Sequence, residues 1–192
     1  MGLKLGCVVM AAGNARRFGE NKLAAGVGGR SLILRALEAV PAEEFEAVAV
    51  VTQYPEILEL AEGFRFAPVR NPHPDWGVSH TIRLGLETLG NLDGAMFLVS
   101  DQPLLRRESV RALAELWRSQ PDKIAALAHG GVRGNPCVFP ARFFPELLAL
   151  TEDRGGSAVI RRHEEGLILL EVPERELTDV DTREPLAELN LS

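Results

Sequence analysis

Apolar residues in this chain fall into two patterns: short continuous runs, and stretches where they recur every three or four positions. Leu5-Gly6-Cys7-Val8-Val9-Met10 is a continuous run ending in Ala11-Ala12-Gly13, and it predicts a strand buried on both faces. Ser31 then predicts an N-cap for a helix carrying Leu32, Leu34, Ala36, Leu37 and Val40, stopped by Pro41. Ala47-Val48-Ala49-Val50-Val51 predicts a second buried strand, and Pro55 the start of a short helix through Leu60 and Ala61. Phe64-Arg65-Phe66-Ala67 predicts a third, weaker strand, and a helix is expected from about Ser79 with Ile82, Leu84, Leu86 and Leu89 as apolar positions. Ala95-Met96-Phe97-Leu98-Val99 is the clearest strand and ends abruptly at Ser100-Asp101-Gln102-Pro103. A helix from about Ser109 to Trp117 and a strand through Ile124-Ala125-Ala126-Leu127 follow.

After Gly130 the rhythm changes. Short strands around Cys137-Val138-Phe139 and Leu167-Ile168-Leu169-Leu170 flank a helix near Ser157 to His163, and Pro185 opens a last short helix. Alternating strands and helices with two-sided apolar strands predict helices on both faces of a mostly parallel sheet, a three-layer α/β/α arrangement of Rossmann-like type. The irregular C-terminal part predicts an antiparallel edge or insertion. No linker or repeat divides the 192 residues, so a single domain spanning 1–192 is expected. In such sheets ligands bind beyond the carboxyl ends of the strands, where the strand order reverses. Chemistry is therefore sought after Met10, Val51 and Val99.

Composition narrows the classes. The chain carries 21 Lys+Arg against 27 Asp+Glu, a net charge of −6, and has no basic stripe, which disfavours nucleic acid as the main partner. No uncharged apolar run approaches the roughly 20 residues of a membrane span. The two cysteines, Cys7 and Cys137, form no CxxC pair and no zinc spacing, and with no signal peptide the expected compartment is the reducing cytoplasm. A cytosolic enzyme or binding domain remains.

The loop after the first strand, AAGNARRFGENK, is the first chemically unusual place. Ala11, Ala12 and Gly13 are small enough for a backbone to approach a ligand, and their N–H groups can cradle phosphate oxygens. Arg16, Arg17 and Lys22 outnumber Glu20, so the loop is positive within an acidic chain and suits a polyphosphate. It is not a Walker A loop, since Gly19 is followed by Glu20-Asn21-Lys22, and Ala15 stands where a dinucleotide fingerprint needs glycine. The bland alternative is a solvated basic loop.

The second place is Asp101, a carboxylate where a strand stops, able to hold Mg²⁺ against substrate phosphates or merely to turn the chain before Pro103. Downstream, Asp179 and Asp181 lie two apart, so one face of a short strand would present both; Asp181 or Thr182 could equally cap the last helix.

Five segments in order, AAGNARRFGENKL, NPHPDWGVSHTIRLGL, LVSDQPLL, GNPCVFP and DVDTREPL, resemble the molybdenum cofactor cytidylyltransferases (MocA-like). Those belong to the MobA-like nucleotidyltransferases and the nucleotide-diphospho-sugar transferase superfamily. The resemblance spans Met10 to Leu186. It implies that Ala11, Ala12, Gly13, Arg17 and Lys22 bind the base and phosphates of a nucleotide, and that Asn71, Gly77 and Ser79 lie near the nucleoside. It further implies that Asp101 and Asp181 hold Mg²⁺ and that Gly134, Asn135 and Pro136 face a pterin substrate. Lys22, Arg17 and Asp101 would carry catalysis. Ala12 goes with CTP in this resemblance, and a glycine there with GTP. Departures are Ala15 where serine is usual, Ser100 where glycine is common, and Glu152-Asp153-Arg154-Gly155 in place of Gly-Asp-x-Gly.

The reaction implied is transfer of CMP from CTP to the phosphate of molybdopterin, releasing pyrophosphate, with a molybdoenzyme receiving the product. GTP as donor, or a sugar or alcohol phosphate as acceptor, keeps the reaction and changes the substrate. A cofactor chaperone without chemistry is a different class, disfavoured by Lys22 and Asp101. The four histidines, Trp76 and Cys137 are expected to be structural, with a ligand contact by His80 and a base or pterin ring under Trp76 as the alternatives.

Overall fold

The computed structural model describes residues 2–13, the backbone of 26–27, and residues 30–180. Arg17, Lys22, Asp181 and the helix expected from Pro185 lie outside them. The chain runs β1 (Leu5–Ala11), β2 (Gly26–Val27), β3 (Arg30–Ser31), α1 (Leu32–Glu38), β4 (Ala47–Thr52), α2 (Pro55–Gly63) and β5 (Ala67–Arg70). It continues through α3 (Val78–Leu89), β6 (Gly94–Val99), α4 (Arg107–Ser119), β7 (Ile124–His129) and β8 (Val132–Pro140). Two short helices, α5 (Phe144–Leu148) and α6 (Ser157–Ile160), precede β9 (Leu167–Glu171).

Seven strands form one sheet in the order β5-β4-β1-β6-β8-β7-β9, while β2 and β3 pair separately as a small antiparallel ribbon. β5, β4, β1 and β6 are mutually parallel, and β7 pairs parallel with β9. Only β8 is reversed, antiparallel to both β6 and β7. The antiparallel insertion expected from the sequence is therefore interior. The two sheet faces define two apolar clusters. Cys7, Val9, Val50, Met96, Leu98, Leu113 and Trp117 lie in one; Val8, Val51, Ile82, Phe97, Phe139 and Ile160 lie in the other. Alternate residues of β1 thus feed opposite faces, the reason its run is continuously apolar.

Local sequence explains each helix. Ser31 caps α1, its hydroxyl accepting the Leu34 N–H at 3.3 Å. α4 buries Val110, Leu113, Ala114 and Trp117 at helical spacing. Its outer face pairs Arg107 and Arg111 with Glu43, and Arg118 with Glu44. α3 approaches the sheet closely because Gly85 faces Val8: a Cβ there would stand 2.5 Å from the valine side chain.

The third strand differs from expectation. Phe64 to Phe66 close α2 rather than starting a strand: Arg65 takes a left-handed conformation, φ 60°, with its N–H on the Glu62 carbonyl and the Phe66 N–H on Ala61. This double bond pattern ends a helix, and it lets Phe66 fold back into the core. The strand then occupies Ala67–Arg70, pairing with Ala49–Thr52. Two aromatics that suggest a strand from composition are here a helix terminus. Among the described residues, no helix is long and apolar enough to cross a membrane.

Candidate active site

The strand order reverses between β1 and β6, since the chain first builds outward through β4 and β5 and then returns to the other side of β1. Met10 and Val99 are register partners, so the segments starting at Ala11 and Ser100 leave the sheet side by side. Ala11 and Ala12 are buried, and Gly13 is exposed.

The carbonyls of this segment are each tied to a side chain from a neighbouring strand end. The Ser100 hydroxyl donates to Met10 at 2.8 Å, Thr52 to Ala11 at 3.0 Å, and the Gln53 amide to Ala12 at 3.1 Å. The Tyr54 hydroxyl reaches Gly13 at 3.5 Å. With its acceptors engaged, the start of the loop is held from both sides. Sequence reading missed Thr52, Gln53 and Tyr54 as site residues. Their signal is a polar triplet directly after a buried run. Ser100, a departure from the resemblance, acts as a tie between strands.

Asp101 follows, half-buried, and the segment after β9 wraps onto it. Val180 donates its N–H to the Asp101 carbonyl at 2.8 Å, and the Gln102 amide reaches Leu177 O at 3.4 Å. The buried Glu176 carboxylate accepts the Arg106 N–H at 3.2 Å. Three ties thus zip residues 176–180 along residues 101–106. Thr178 to Val180 are not a strand, so Asp179 is not presented on a strand face, and Val180 is buried in the core. Its neighbour Asp181 lies outside the described residues. Among the described residues no group of three or more metal-ligating side chains occurs. One or two carboxylates with waters and phosphate oxygens suffice for Mg²⁺, and Asp101 is a hard oxygen donor at the strand end.

Asn71 is buried, its Oδ1 accepting the His73 N–H at 2.9 Å and its amide donating to Thr81 at 3.3 Å. It shapes the turn into α3. Gly77, at φ 85°, lies against the Glu152 backbone, where a Cβ would approach within 2.3 Å, and the Ser79 N–H donates to the Glu152 carbonyl at 3.1 Å. Those two residues hold the 151–156 loop against the start of α3. Trp76 stacks on His73, 4.0 Å between centroids and 10° between planes, yet remains 55% exposed. His80 meets Trp76 edge-on, and burial lowers the His80 pKa, with the charges of His73 and Arg83 adding to the effect and Glu87 opposing it.

Gly134, Asn135 and Pro136 lie on β8 where its pairing with β7 is interrupted: Ala126 and Ala128 oppose Cys137 and Arg133, two steps against four. Such a bulge re-aims side chains away from the ladder. Asn135 lines both a partly open cavity of about 170 Å³ and a wider cleft of about 610 Å³, and Gly134 lines the cleft. Pro136 lines neither. Cys137 is buried, and desolvation pushes its thiol up to about 11 despite the Arg133 guanidinium nearby, so it stays protonated. It is no nucleophile at neutral pH.

A mostly parallel sheet with a small-residue segment and a carboxylate side by side at its reversal point is an α/β fold whose ligand position lies at these strand ends. The chain belongs to the family described as the MobA-like NTP transferase domain, whose model matches residues 7–166. It is 27% identical over 191 residues to the purine catabolism protein PucB of Bacillus subtilis (strain 168), covering 92% of this chain and 91% of that one. A nucleotidyl transferase from Methanothermobacter thermautotroptrophicus superposes with a TM-score of 0.81 at 22% identity, covering 98% of this chain and 97% of that one. CMP:2-keto-3-deoxy-manno-octonic acid synthetase, in complex with CTP, superposes with a TM-score of 0.72 at 16% identity, covering 98% and 97%. At those identities the two structures speak to the fold.

Proposed function

We propose that this chain transfers CMP from CTP to the terminal phosphate of molybdopterin, releasing pyrophosphate, with Mg²⁺ as cofactor. The observation that carries the reading is the pairing of the small-residue segment after β1 with Asp101 after β6, joined by Ser100 and Met10. Family membership supports a nucleoside triphosphate as donor. Ala12 and a structural neighbour that takes CTP on the same fold support cytidine. A relative named for purine catabolism supports use of the product in that class of metabolism.

The chemistry follows from charge. A phosphate oxygen of the acceptor attacks the α-phosphorus while the bond to pyrophosphate breaks in line, and the bonding pair leaves with pyrophosphate. A terminal phosphate is already largely a dianion near neutral pH, so no general base is needed; the obstacle is repulsion between two polyanions. Lys22 and Arg17 would offset that charge. Asp101 and Asp181 would hold the divalent ion, which supplies charge neutralisation at the phosphates when bound. The Val180–Asp101 hydrogen bond supports the pairing, because it anchors the residue before Asp181 to the Asp101 backbone.

The test is Mg²⁺-dependent pyrophosphate release from CTP and from GTP, with and without molybdenum-loaded molybdopterin. Release from CTP that requires the pterin is expected. Release from GTP alone would change the donor, and nucleotide binding without release would overturn the acceptor.

A further inference from the structure

Between β6, β8 and α3 lies the partly open cavity of about 170 Å³, walled by Met10, Ile82, Phe97, Val99, Phe139 and Ile160. Phe97 and Phe139 meet edge-to-face there, 5.8 Å between centroids. An apolar cavity of about 150 Å³ holds a benzene ring, so this space admits one ring or the end of a fused pair and excludes a nucleoside. Its polar residues are Arg133, Asn135 and Ser157, and the same three line the wider cleft of about 610 Å³ that reaches Gln102, next to Asp101. The two spaces therefore share Arg133, Asn135 and Ser157 as a common wall.

Arg133 is the one permanent cation among the described residues lining either space, whereas the cleft also carries Glu174 and Asp179. Its guanidinium donates to Ser157 Oγ at 3.0 Å and contacts Cys137 Sγ at 3.8 Å, both neutral partners. Among the described residues no carboxylate pairs with it. A half-buried, oriented and unneutralised guanidinium on the wall shared by a ring-sized cavity and a cleft is a receptor for an anion attached to a ring.

We propose that Arg133 is the acceptor-specificity residue. It binds an anionic group of the acceptor while the attached ring enters the Phe97–Phe139 cavity, aiming the rest of the molecule along the cleft toward Asp101. The acceptor class is thus an anion carried on a flat aromatic ring rather than a sugar phosphate. This inference rests on the proposed reading for its reaction, and Arg133 acts in acceptor binding alone.

The test is fluorescence anisotropy of pterin-6-carboxylate, with unsubstituted pterin as control, titrated with the full chain. Wild type should bind the carboxylate more tightly than the control. Arg133→Met should weaken carboxylate binding by about 10- to 100-fold, and Arg133→Lys by less, with CTP affinity unchanged. Ser157→Ala, which frees the guanidinium, should fall between wild type and Arg133→Met, and it serves should circular dichroism show Arg133→Met unfolded. Equal affinities for the two pterins, no binding to wild type, or carboxylate binding unaffected by Arg133→Met or, in its place, Ser157→Ala would each overturn the assignment. Carboxylate-dependent pterin binding without pyrophosphate release would instead sink the proposed reaction and leave Arg133 standing.

Discussion

The Ser100 hydroxyl donates to the Met10 carbonyl at 2.8 Å, so the strand end that carries Asp101 is fastened to the strand end that opens the small-residue segment. Ninety residues separate the two in sequence, and on the proposed reading their relative position would set how the Asp101 carboxylate faces a bound polyphosphate. Ser100→Ala should therefore cost about 1 kcal/mol of stability, read by urea denaturation, and lower kcat more than it raises the nucleotide KM. An unchanged kcat would make the tie purely structural.

Asp101→Ala removes the side chain while leaving the carbonyl that receives Val180 N–H intact. Turnover should drop by at least about 10³-fold with the melting temperature nearly unchanged. An active Asp101→Ala enzyme would remove the basis of the metal assignment.

Lys22→Ala should cost about 10²–10³ in rate if the ammonium meets charge developing on the leaving pyrophosphate. Steady-state kinetics separate the alternatives: a fall in kcat marks that role, and a rise in nucleotide KM alone marks ground-state binding.

Gly77→Ala should destabilise the fold by about 2–4 kcal/mol, because φ 85° disfavours any side chain and the new Cβ would run into the Glu152 backbone. Chemical denaturation measures it, and protease nicking near residues 151–156 should appear first.

His80 gives a pH signature. Its folded pKa lies below the ordinary 6.5, chiefly through burial, and its Nε2 is buried without a partner. The unfolded chain therefore binds the proton first as pH falls. Stability should be flat above about pH 6.5 on this account and decline below it until the folded imidazole also protonates. Denaturation curves at pH 7.5 and 5.5 should show a smaller loss in His80→Gln than in wild type.

Much of this architecture is legible along the chain, and the exceptions share a physical cause. β1, β4, β6 and β7 announce themselves because strands buried on both faces must be apolar at every position. Asp101 is visible because a charge ending such a run is conspicuous. The ties of Thr52, Gln53 and Ser100 to the first loop are not visible, since a hydrogen bond spanning 41 or 90 residues leaves no periodic trace. Phe64 and Phe66 mislead because aromatic content favours a strand while the left-handed Arg65 between them closes a helix. β8 runs from Val132 to Pro140, beyond its apolar core at Cys137–Phe139, because its first half is shaped by the bulge rather than by burial.

The reversal of β8 carries a consequence for how such a catalyst diversifies. A strand parallel to β6 would bring only its end to the rim where Asp101 sits; running backwards, β8 brings its beginning there, with Arg133 and Asn135. The polar residues Arg133 and Asn135 of the proposed acceptor side thus come from one hairpin, β7–β8, while β1 and β6 supply the small-residue segment and Asp101. On the proposed reading, rewriting that hairpin would exchange one recipient for another while leaving Asp101 and the segment after β1 in place.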